Sequence, residues 1–173
     1  MVIVMWNGVR VNRVTEDELF IRRLLEQYMR FNDDRDLDRM MTVFAPDAVY
    51  RVGGGEHVGH DAISAFFSKV GYKKNQPRWT DEGQLMVMPR SMHVMTNPII
   101  DVDGDRATAE SEFAVMVRDS GGHAKIQLIG RYRDRLRRDA EAGWLITDRT
   151  GVSVAKVTDP PGHQEPMPPS ATS

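Results

Sequence analysis

Cysteine is absent from the 173-residue chain, which excludes disulfides, a thiolate nucleophile and any cysteine-type zinc site. The absence fits a reducing compartment, and a cytoplasmic location is the expectation. Long apolar runs are missing too. The opening stretch Met1-Val2-Ile3-Val4-Met5-Trp6 is too short for a signal-peptide core or a membrane span and has no basic lead-in, so no membrane partner is expected. Nor is there an excess of charge of one sign: 23 lysines and arginines face 25 acids, a formal net charge of -2, and no field forms that would collect nucleic acid or anionic lipid. The glycine run Gly53-Gly54-Gly55 lacks the lysine and spacing of a phosphate-binding loop. His57-x-x-His60-Asp61 sits where a glycine-rich loop meets a helix, a poor rigid cage, and no metal is expected.

Hydrophobic residues at 40% and charged residues at 28% are what an ordinary globular domain carries, and the length suits a single core. Residues 1–14 read as an N-terminal arm, 15–157 as the domain and 158–173, with five prolines, as a tail with nothing to bury and an expectation of disorder. Ile21, Leu24, Leu25, Tyr28 and Phe31 recur at helical spacing, opened by a Thr15/Glu18 capping box, and predict a helix over 16–32. Leu37, Met40, Met41 and Phe44 predict a second helix, with Asp36 as its cap and Pro46 as its stop. A short strand over 48–52 follows, and Ile63, Phe66, Phe67 and Val70 mark a third helix. The stretch 71–90 keeps no period but holds Tyr72, Trp79, Leu85 and Met86, which leaves open a pocket lid or a wandering loop.

Beyond Arg90 the period becomes two, and turn signals at Asp103-Gly104-Asp105, Ser120-Gly121-Gly122 and 139–143 separate four strands in a hairpin meander. Ala107, Ala109, Ser111, Phe113, Val115 and Val117 form one apolar face, and Ala124, Ile126, Leu128, Gly130 and Tyr132 another. The basic row Lys125, Gln127, Arg131, Arg133 and Arg135 reads as a solvated sheet face answered by Glu110 and Glu112. Helices first and strands after predict an α+β domain, cone-shaped, with the N-terminal helices packed on a curved antiparallel sheet.

Asp33 falls at the junction of the first two helices, on the shoulder of the apolar stripe, where it is either half sunk in the core or a solvated turn acid. His93 opens the first long strand as either a site residue or a satisfied rim histidine. Tyr28 belongs to the helical stripe. Arg149 alternates with Leu145 and Thr147, opposite Trp144 and Ile146, and reads either as a pocket residue or as a surface arginine paired with Asp148 or Asp134.

The joint order of Tyr28-x-x-x-x-Asp33-x-x-Asp36-x-Asp38, Phe44-Ala45-x-Asp47-Ala48-Val49, Gly59-x-x-Ala62-Ile63-x-x-Phe66, Met92-His93-x-x-x-Asn97, Gly130-x-Tyr132-x-Asp134 and Gly143-Trp144-x-Ile146-x-x-Arg149 resembles a SnoaL-like domain of the nuclear-transport-factor-2-like superfamily. The branch that includes scytalone dehydratase, bile-acid 7α-dehydratase and hexachlorocyclohexane dehydrochlorinase consists of lyases without a cofactor. The resemblance implies Asp33 and His93 as a catalytic pair in an apolar cavity. It also implies Tyr28, Tyr50 and Arg149 as substrate-binding groups, a small hydrophobic cyclic substrate, and assembly into a homodimer or homotrimer. A second histidine and a strand aspartate found in relatives of that branch are replaced here by Val117 and a residue near Val115. The chemistry implied is proton removal with expulsion of water, hydroxide or halide: imidazole titrates near neutrality, and a carboxylate orients it. The alternative within the same fold is a ligand-binding or assembly module resembling the small subunit of ring-hydroxylating dioxygenases.

Overall fold

Residues three and four apart share one face of a helix, and Ile21, Leu24, Leu25, Tyr28 and Phe31 are accordingly the buried side of helix α1 (Arg13–Asp34) in the computed structural model of the chain. The structure describes residues 4–6, 9–11, 13–74, 91–119 and 121–156; the expectations of a disordered tail over 158–173 and of a lid over most of 71–90 lie outside these residues. The helix begins upstream of the expected capping box, so Thr15 lies inside its first turns. Within the N-terminal arm, β1 (Val4–Trp6) and β2 (Val9–Val11) pair as a separate two-stranded sheet.

The junction after α1 is sharply defined. Arg35 takes a left-handed backbone (φ 52°), and the amide of Asp36 returns to the carbonyl of Phe31 at 3.1 Å, the closure that satisfies orphan carbonyls at a helix end. Asp36 then caps α2 (Leu37–Thr42), its carboxylate accepting from the Arg39 amide at 3.0 Å. This helix is shorter than expected because Phe44 already belongs to β3 (Phe44–Val52), whose β-hairpin partner β4 (Gly55–Val58) uses the glycine turn. Helix α3 (Gly59–Lys69) buries Ile63 and Phe67.

The meander is as expected: β5 (Ser91–Asp103), β6 (Arg106–Arg118), β7 (Ala124–Asp139) and β8 (Gly143–Lys156). The main sheet has the order β4-β3-β8-β7-β6-β5. It is mixed, not wholly antiparallel, because β3 pairs parallel with β8. Hairpins impose antiparallel neighbours, but β3 and β8 are far apart in the chain, and such a connection permits a parallel pair.

Bulges decide which side chains face inward, since one extra residue exchanges the two faces of a strand. On β8, Leu136 pairs with Ile146 and Arg135 with Asp148, so Thr147 is supernumerary and Ile146 and Arg149 both turn inward. On β7, Val115 pairs with Leu128 but Met116 with Ile126, which puts Ile126 outside at 48% exposure rather than on the expected inner face. On β5 the bulge lies between Thr96 and Ile99, with Asn97 at φ 48°. Gly130 is required by close packing: a Cβ there would lie 2.5 Å from Phe113 Cζ, where the Phe113 and Tyr132 rings stack at 4.3 Å.

Candidate active site

β5 is an edge strand, and its outer amides have no strand to bond. The His93 amide is taken instead by Asp33, whose Oδ1 and Oδ2 accept from it at 3.0 and 3.1 Å. The same carboxylate accepts from the ring, Oδ1 to Nδ1 at 2.7 Å. A carboxylate can only accept, so Nδ1 carries the proton and Nε2 is the ring's lone-pair nitrogen. Both side chains are about nine-tenths buried, at 12% and 11% exposed. The α1–α2 junction and the edge strand, 60 residues apart in sequence, thus bring the two predicted residues into one hydrogen-bonded unit.

His93 lines a cavity of about 200 Å³ between the helices and the inner sheet face. Its walls are mostly apolar and include Phe66, Phe67, Phe113, Val115 and Leu128. Tyr50 lines it as well, its hydroxyl 2.9 Å from that of Tyr28. Burial, with Tyr28 and Tyr132 beside it, pushes the Tyr50 phenol well above its ordinary range, so it is a neutral hydroxyl at physiological pH. Val115, facing His93 across the strand pair, is part of the wall.

Tyr28 and Arg149 are not on that wall. Tyr28 is wholly buried, edge-on to Phe44 and Tyr132 at 6.0 and 5.8 Å. Arg149 is also wholly buried, neither a surface arginine nor a lining group. It forms a two-pronged pair with Asp134 at 2.6 and 2.7 Å, and its guanidinium lies 3.9 Å from the Tyr28 ring and 4.5 Å from the Tyr132 ring. Burial alone would lower its pKa, but the Asp134 carboxylate overrides this and raises it. Asp134 is one of the two partners expected for Arg149, but the Thr147 bulge inverts the strand and puts the pair in the core instead of on the surface.

His57 and His60 are engaged in packing: the His57 ring lies 4.5 Å from that of Phe66, and His60 Nε2 donates to the Phe44 carbonyl at 3.0 Å. Among the described residues no group of three or more histidines, cysteines and acids is placed to hold a metal ion. A larger depression of about 580 Å³ between Asp101, Arg106, Arg135 and Arg137 holds neither Asp33 nor His93, whereas His93 lines the smaller cavity, which is therefore the candidate site. Two of its polar groups, Asn32 and Tyr72, were not among the predicted site residues. Their only signal was adjacency to Asp33 in one case and an aromatic in an aperiodic stretch in the other.

Against known proteins, the model of a SnoaL-like domain matches residues 13–150. No curated protein matches the chain. Among solved structures, a candidate aromatic ring hydroxylase from Novosphingobium aromaticivorans is similar at 28% identity, over 81% of this chain and 90% of that one, with a TM-score of 0.62. A nuclear transport factor 2-like superfamily protein from Salmonella enterica serovar Typhimurium matches at 18% identity over 86% and 99%, TM-score 0.63. A candidate scytalone dehydratase from the same Novosphingobium species matches at 19% identity over 82% of this chain and 89% of that one. Its TM-score is 0.60. The last two likenesses carry the fold alone.

Proposed function

Since the chain belongs to the SnoaL-like domain family, within a superfamily that includes cofactor-free isomerases and dehydratases, we propose that it is a cofactor-free lyase or isomerase acting on a small hydrophobic cyclic substrate. The observation that carries the reading is the 2.7 Å contact between Asp33 and His93 at the wall of an apolar cavity. His93 Nε2 takes a proton from a carbon of the substrate, Asp33 holds the ring and balances the imidazolium, and the C–H electron pair forms the new double bond as the leaving group departs. The imidazolium then returns its proton to that leaving group or, in an isomerisation, to another carbon. Partial burial strengthens the pair, because charges in a low-dielectric site are screened less than in water. Tyr50 is the donor placed to meet a departing hydroxyl, with Tyr28 holding it from behind. Arg149, buried behind the wall and held by Asp134 through Nε and Nη2, takes no part in contacting substrate. A cytoplasmic setting belongs to the same reading.

The test is the elimination of water from 3-hydroxy-1-tetralone, which gives fluorescent 1-naphthol after tautomerisation. The wild-type protein converts it faster than free imidazole does, and His93→Ala and Asp33→Asn each lower the rate by about 10²–10⁴-fold, the usual worth of a general base, at a temperature where circular dichroism shows both variants folded. Equal rates for wild type and His93→Ala would overturn the assignment.

A second reading, a binding or assembly module, is favoured by the outer face of the sheet. Val94, Ile129, Val152 and Val154 are 40%, 41%, 56% and 70% exposed there, an apolar patch of the kind that marks association. We propose that the chain forms a homodimer or homotrimer through this face, which leaves the cavity on the opposite side of the sheet open to substrate. Assembly and catalysis are therefore compatible; binding of the tetralone without turnover is what would favour the module alone.

A further inference from the structure

Arg131, Arg133, Arg135 and Arg137 alternate along β7 on the outer face of the sheet. Three of them have an acid: Glu112 for Arg131 at 2.8 Å, Glu110 for Arg133 at 2.9 Å and Asp47 for Arg137 at 2.7 Å. Arg135 has none among the described residues. Its register neighbour on β8, Asp148, is taken by Arg51 at 2.7 Å, and its neighbour on β6 is Thr108. Arg106 is a second guanidinium without an acid among the described residues. It stands directly across from Arg137, although like charges set opposite each other are unfavourable in a sheet.

Two acids beside them are open as well. Asp101 faces Thr108 and Asp103 faces Arg106 across the β5–β6 pair, yet among the described residues neither carboxylate closes an ion pair. Asp105, in the turn that follows, is drawn away to Arg138 at 3.0 Å. All four unpaired charges line the depression of about 580 Å³, together with Thr108 and Thr147. Thr147 is the residue inserted at the β8 bulge, and its hydroxyl donates to the Arg135 carbonyl at 3.1 Å, which ties the β8 side of the hollow to the strand that carries Arg135.

The register divides the hollow into halves of opposite sign. Asp101 and Arg135 lie in one row with Thr108 between them, two strand spacings or about 10 Å apart at the backbone. A guanidinium fork fits a carboxylate through paired N–H donors, and the two acids suit an ammonium. A polyanion is disfavoured, because its further charges would meet Asp101 and Asp103. A simple anion or a simple cation satisfies one half and leaves the other open. An α-amino acid carries both charges on one carbon and does not span the interval.

We propose that this hollow binds a small dipolar ligand, with a carboxylate held by Arg106 and Arg135, an ammonium held by Asp101 and Asp103, and an apolar chain between them against the methylene stems of the arginines. The site is separate from the cavity that His93 lines, with which it shares no residue, and it stands whether or not the chain is a lyase.

The test is an amide-shift titration of the full-length ¹⁵N-labelled protein at constant ionic strength, with 6-aminohexanoate as the probe and hexanoate and hexylammonium as its single-charge counterparts. With 6-aminohexanoate the amides of 101–108 and 135–137 shift saturably, at a Kd on the order of 1–10 mM, and the amide of His93 does not move. Each single-charge probe binds there at least about threefold more weakly. Arg106→Gln with Arg135→Gln abolishes the preference for 6-aminohexanoate over hexylammonium and keeps that over hexanoate; Asp101→Asn with Asp103→Asn does the reverse. All four residues are exposed, and an otherwise unchanged amide spectrum shows the variants folded. Hexanoate binding as tightly as 6-aminohexanoate would mean a plain anion site and overturn the proposal. So would equal binding of hexylammonium, no saturable shift below about 50 mM, or a shift that persists unaltered when both arginines are replaced.

Discussion

All four tyrosines of the chain, Tyr28, Tyr50, Tyr72 and Tyr132, are buried. Desolvation is the leading cause that raises the phenols of Tyr50, Tyr72 and Tyr132 above their ordinary value of 10.0. Linkage fixes the sign. A group whose folded-state pKa lies above its unfolded one contributes its full stability below the unfolded value and loses it as pH rises toward the folded value. Stability is therefore independent of these phenols up to about pH 10 and falls beyond it. In an alkaline titration, the 295 nm absorbance of these three phenolates is expected to appear together with the loss of circular dichroism. Ionisation near pH 10 in a protein that keeps its helical signal would show the phenols to be open to water. At this scale the sequence revealed residue types well and surroundings poorly. Tyr50 and Tyr28 were singled out together, yet only one of them touches the cavity.

The strand bulges are the features that matter at the scale of the element. Because Thr147 is inserted into β8, Ile146 and Arg149 face the same way, and Arg149 meets Asp134 in the core. A buried pair of this kind is costly to break, because the survivor is left as an uncompensated charge. Arg149→Met is expected to lower stability by about 3–5 kcal/mol, read as a shift of the urea midpoint. Arg149→Met combined with Asp134→Leu is expected to recover most of that loss. A single variant as stable as wild type would mean that the pair is reached by water. Periodicity located every strand of the meander, because alternation and glycine turns are local signals. It did not locate β4, whose four residues carry too little pattern, nor the bulges, where the pairing partner and not the bulged strand sets the register.

For the whole molecule, the two faces of the sheet have different tasks. The inner face closes the cavity against α1 and α3, and the outer face carries two kinds of surface. Towards one end the arginine row is answered by acids, Arg131 by Glu112 at 2.8 Å and Arg133 by Glu110 at 2.9 Å, as the solvated-face reading expects. The Arg131–Glu112 pair borders a hollow of about 340 Å³ whose other walls include Ala114, Ile129 and Val154. Sedimentation at micromolar concentration is expected to show a species heavier than the 19.6 kDa chain. Ile129→Lys with Val154→Lys is expected to convert it to monomer without loss of circular dichroism. A wild-type monomer across that range would remove the proposed interface. Among the described residues no helix is long and apolar enough to cross a membrane.

The sequence by itself determined the elements whose signals are short-range: the stripe from Ile21 to Phe31, the Asp36 cap, the four long strands, and hence an α+β fold with helices on one sheet face. Its family pattern also marked Asp33 and His93. What brings those two within 2.7 Å is tertiary: the left-handed turn at Arg35 ends α1 beside the unpaired amide of an edge strand, and no local pattern encodes which edge that is. The parallel pairing of β3 with β8 and the inward turn of Arg149 were decided in the same way. Each depends on a partner in another strand, which it meets only when the sheet curves around the cavity.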